Sequence, residues 1–161
     1  DLKTCFEGAG LLDVSTYIQS GNVIFRSAAD ADGLVALVER ALAARFGYPA
    51  RVVVVPHGAL GKAVAGAPKG FGKDPARFRY DVIFLKPPLT ARKAMKSVSV
   101  KAGVDAATAG RQVLYFSRLI SRATESRLPK LIMTPAYQDM TIRNWNTTVK
   151  LLTLMDHLRD T

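Results

Sequence analysis

The chain alternates between stretches with helical hydrophobic spacing and short β-rich runs. Leu2, Cys5, Phe6 and Ala9 recur at helical intervals before Gly8 and Gly10 interrupt them, which predicts the second half of a helix whose start lies upstream. Residues 14–18 and 23–26 are β-rich runs around Gln19-Ser20-Gly21-Asn22, and Gly21 and Asn22 accept positive φ, so a hairpin is expected. Asp30 or Asp32 can cap the next helix, which carries an apolar stripe from Leu34 through Val38 and Leu42 to Phe46 and stops at Gly47. Residues 51–55 hold four consecutive valines, the pattern of a strand buried on both faces, and Pro56 ends it. A short helix is expected over residues 59–65.

Residues 66–75 concentrate Gly and Pro without an apolar period and read as a linker. Beyond them come a strand at 79–85, a helix capped by Thr90 and a hairpin around Gly110. A helix ending near Met133 follows, then a short strand at 140–142. In the last helix Trp145, Val149, Leu152, Met155 and Leu158 share one face. The order repeats between halves, and a β-strand before Asp1 would make each half β-α-β-β-α-β, the ferredoxin-like unit. The predicted fold is therefore α+β, with two ferredoxin-like halves, the first lacking its opening strand, and a C-terminal helix. The halves are expected at 1–67 and 77–161, joined by a linker at 68–76.

Composition narrows the function classes. The 161 residues are 48% hydrophobic, which excludes disorder, and no apolar run approaches the roughly 18 residues a membrane span needs. The single cysteine, Cys5, can form neither an internal disulfide nor a cysteine-based metal site, and it favours a reducing, cytoplasmic compartment. Charge changes the picture most. Lys and Arg number 23 against 13 Asp and Glu, a net +10.

Residues 16–25 (Thr-Tyr-Ile-Gln-Ser-Gly-Asn-Val-Ile-Phe) and 141–147 (Thr-Ile-Arg-Asn-Trp-Asn-Thr) resemble the signatures of a bacterial family, domain of unknown function 1697. Residues 81–85, 126–128 and 150–152 match its pattern in the same order. The resemblance implies a cytoplasmic α+β protein with two ferredoxin-like halves, and an opening strand that has no counterpart in this sequence. It implies no activity, since the family is itself uncharacterised.

Most candidate chemistry fails on spacing. Residues 56–63 follow the valine run as a phosphate-binding loop would, but Pro56 and Ala63 stand where that loop needs Gly and Ser or Thr. Lys69-Gly70-Phe71-Gly72 begins like an RNA-recognition signature and breaks at Lys73-Asp74-Pro75, which favours a linker with an exposed Phe. His57 and His157 are isolated, so no metal or cofactor is expected.

Two polar groups remain. Gln19, Ser20 and Asn22 crowd the first hairpin turn, while Arg143, Asn144 and Asn146 crowd a strand-to-helix junction suited to an anion. Turn and capping chemistry explains the same residues. Between Lys86 and Lys130 ten Lys and Arg face only Asp105 and Glu125, a surplus of eight. Arg92, Lys93, Lys96, Arg118 and Arg122 are the candidate nucleic-acid contacts there. The leading expectation is a protein that binds an anionic partner, nucleic acid first. The alternative is a site between the halves, binding or catalytic, for a small molecule bearing phosphate or carboxylate, and whether any reaction occurs is left open.

Overall fold

Asp1 caps the first helix, α1 (Leu2–Gly8), its Oδ1 accepting from the Thr4 N–H at 2.8 Å in the computed structural model, which describes residues 1–19 and 21–159. The antiparallel pair β1 (Leu12–Tyr17) and β2 (Asn22–Arg26) follows, then α2 (Ala31–Phe46). Asp30 accepts from the Gly33 N–H at 2.7 Å at the start of α2, and Gly47 ends it in the left-handed conformation. Phe6, Leu11, Val14, Leu34 and Val38 form the buried core of this part.

Two expectations are corrected here. Ile18 and Gln19, rather than Gly21 and Asn22, hold the positive φ angles of the hairpin turn, at 55° and 47°. The valine run 51–55 forms no strand: Val52 and Val54 pack on the core, but the Val52 N–H donates to Glu39 Oε2 at 2.9 Å. Apolar side chains favour burial, whereas a strand also needs a neighbouring backbone, and this donor is already taken.

The chain groups into two units, Asp1–His57 with Leu151–Thr161, and Gly58–Lys150. Residues 68–76, expected as a linker, therefore lie inside the second unit. That unit follows α3 (His57–Ala65) with β3 (Phe78–Leu85), α4 (Ala91–Met95), β4 (Asp105–Ala109), β5 (Val113–Leu119), α5 (Leu128–Ile132) and β6 (Met140–Asn144). Its four strands lie in the order β4-β5-β3-β6, every neighbour antiparallel, which is the ferredoxin-like arrangement. The expected helix to Met133 divides into a 3-10 stretch, Ile120–Glu125, and α5, with Pro129 inside the first turn of α5. α6 (Trp145–Arg159) follows β6. The fold is α+β with two separate antiparallel sheets and a C-terminal helix.

Candidate nucleic-acid interface

Alternation along the strands gives the second sheet two different faces. Ile83, Leu85, Leu114, Phe116 and Met140 point to one side, where Ala94 of α4 and Leu128 and Leu131 of α5 bury them. The opposite side carries Phe78 and Tyr80 of β3 and Tyr115 and Ser117 of β5, on the two central strands. Register sets Ser117 opposite Tyr80 and Ala106, and Tyr115 opposite Val82 and Thr108. Two successive aromatics, Tyr115 and Phe116, thus divide between the faces.

The Gly-rich segment completes this second face. Phe71 packs edge-on against Tyr80, Tyr115 and Trp145, with ring centroids at 4.9, 5.4 and 5.1 Å. Such contacts contribute on the order of 0.5–1.5 kcal/mol each beyond area burial. The expected exposed Phe is therefore half-buried. Gly72 has φ +80°, and a Cβ there would collide with the Trp145 indole. The Tyr115 hydroxyl donates to Ala63 O at 2.6 Å, and burial pushes this phenol's pKa up. Beside these rings lies an open groove of about 250 Å³, lined by Lys69, Phe71, Phe78, Tyr80 and Tyr115 over the short side chains of Ala106, Thr108 and Ser117. No local motif announces it, although the spacing of Phe78 with Tyr80 and Tyr115 with Ser117 was the available signal.

The residues singled out from sequence are distributed as follows. Gln19 is exposed and Asn22 donates through Nδ2 to Tyr17 O at 3.1 Å, both in the first unit; Ser20 lies outside the described residues. In the second unit Asn144 Oδ1 accepts from the Thr147 N–H at 2.7 Å and caps α6, while Asn146 is exposed. Arg143 is half-buried and donates from Nη1 to Ile142 O at 2.8 Å. Burial lowers its pKa, and Tyr137 opposes that shift.

Arg92 and Lys93 are exposed on α4, with Lys96 exposed at its C-cap. Arg122 differs, since it grips Glu125 through two hydrogen bonds of 2.7 and 2.8 Å. That pairing holds the Glu125 carboxyl below its ordinary pKa and raises that of Arg122. Arg118 lies opposite Asp105 and Arg79 on the helix-covered face, its Nε buried without a hydrogen-bond partner. Among the described residues no group of three or more His, Cys, Asp or Glu is placed to hold a metal ion. Nor is any described helix long and apolar enough to cross a membrane.

Strand order and an aromatic sheet face define an α+β protein whose second unit is a complete ferredoxin-like module. A family model described as "Protein of unknown function (DUF1697)" matches residues 1–115, and the chain belongs to that family. A solved structure described as a conserved bacterial protein from Streptococcus pneumoniae has the same fold, with a TM-score of 0.82 at 22% identity, covering 96% of this chain and 87% of that one. No curated protein matches the sequence.

Proposed function

We propose that this is a non-enzymatic cytoplasmic protein that binds nucleic acid through cations of its second unit. The observation that carries the reading is the exposed trio Arg92, Lys93 and Lys96 on α4. The only two acids between Lys86 and Lys130 are committed elsewhere. Asp105 Oδ2 accepts from the Lys101 and Arg127 N–H groups, and Glu125 holds Arg122. The trio's side chains are exposed and can meet phosphates, whereas Arg122 is a weaker candidate because its fork is filled.

Phosphate contacts release counterions, so binding of a labelled single-stranded oligonucleotide should weaken steeply between about 50 and 200 mM salt. Replacing the trio by alanine should weaken binding and flatten that dependence. Salt-insensitive binding, or none at the lowest salt, would refute the reading.

A further inference from the structure

We propose that the groove beside Phe71 seats one base of a single-stranded nucleic acid. The proposal deepens the nucleic-acid reading and rests on it, but uses a different surface.

The groove is lined by the rings of Phe71, Phe78 and Tyr80 beside the short side chains of Ala106, Thr108 and Ser117, which leave room for a ring next to them. Its volume of about 250 Å³ falls just under the roughly 300–1,000 Å³ of ordinary small-molecule pockets, so it suits a single ring system. Aromatic side chains accept any nucleobase by its π-face, and they do so best when the platform is rigid.

Rigidity is built in. Tyr80 Oη accepts from the Asp74 N–H at 3.2 Å, Tyr115 is tied to Ala63, and Phe71 is held by three rings. A Cβ on Gly110 would fall 2.6 Å from the Tyr115 ring, so glycine there lets β4 and β5 turn beside it. The rim supplies the complementary charge: Lys69 is exposed and offers an ammonium to a phosphate attached to the seated ring. Thr108 and Ser117 add hydroxyls that donate to or accept from base edges. Aromatics on the central strands of a four-stranded sheet stack bases in RNA-recognition domains by the same chemistry.

The test fills the groove without touching the core. Ala106 is exposed, and Ala106→Leu places a branched side chain in that room. Thermal unfolding should be unchanged, while affinity for a ten-nucleotide single strand falls at least tenfold. Phe78→Ala should also weaken binding by removing one of the lining rings. Adenosine monophosphate should compete with the strand, and inorganic phosphate at equal concentration should not.

An unchanged affinity in a folded Ala106→Leu variant would overturn the groove. If the alanine replacement of Arg92, Lys93 and Lys96 still weakened binding and flattened its salt dependence, the wider nucleic-acid reading would survive that failure. Equal competition by inorganic phosphate would overturn base recognition. If the protein bound adenosine monophosphate but failed to bind the single strand, the proposal would be overturned in favour of a free nucleotide.

Discussion

Gly72 shows how much depends on single positions in this protein. Its φ of +80° and the indole of Trp145 beside it exclude a side chain. Gly72→Ala should cost at least about 1–2 kcal/mol from the left-handed backbone alone, read as a lower urea midpoint. An unchanged midpoint would show that the Phe71 loop is not held as described. Asp81 acts in the opposite direction. It is buried, and desolvation raises its carboxyl pKa above 3.8 against the opposing pull of Arg118 and then Arg79. The folded state thus binds this proton more readily than the unfolded state, so the ionised carboxylate opposes folding at neutral pH. That penalty disappears as pH falls through the raised value towards 3.8. Asp81→Asn should raise the melting temperature at neutral pH, with the gain vanishing in acid; an equal gain at both would contradict burial as the cause. Residues of this kind were only partly legible. The capping explanation offered for Asn144 was legible because capping is local, and its Oδ1 does accept from the Thr147 N–H, whereas Phe71 read as a loose Phe because its partners Tyr80, Tyr115 and Trp145 are distant in sequence.

Elements follow their local signals where those signals suffice. Asp30 and Gly47 bound α2 as their chemistry requires, and Thr90 caps α4 through the Lys93 N–H at 3.2 Å. The cap at Asn144 holds α6 in the same way. Asn144→Ala should destabilise by about 1 kcal/mol, independent of added phosphate. A loss that phosphate enlarges or masks would mean that Asn144 contacts an anion. Strands are less legible because pairing is not local. Valines 52–55 have the composition of a buried strand, yet burial is satisfied by packing and the Val52 donor by Glu39. In the second unit the repeated β-α-β-β-α-β order was legible from periodicity, and the sheet order realises it. The groove was not, because it arises only when β3, β4 and β5 align Tyr80, Ser117 and Ala106 in one row.

For the whole molecule, the net charge of +10 is unevenly distributed, and the structure separates its members by what they touch. Arg122 is occupied by Glu125, Arg118 lies on the covered sheet face, and the α4 cations stay exposed. Sequence could count these charges but could not sort them, since the partners are set by strand register and by turns. Binding of a labelled single-stranded oligonucleotide as a function of salt, for the native chain and the variant Arg92→Ala/Lys93→Ala/Lys96→Ala, tests the central claim most directly. Each single-strand phosphate contact contributes a log–log slope of about 0.7, so removing three cations should reduce the slope by roughly 2. An identical slope in the two proteins, or no binding by the native chain at low salt, would contradict the account.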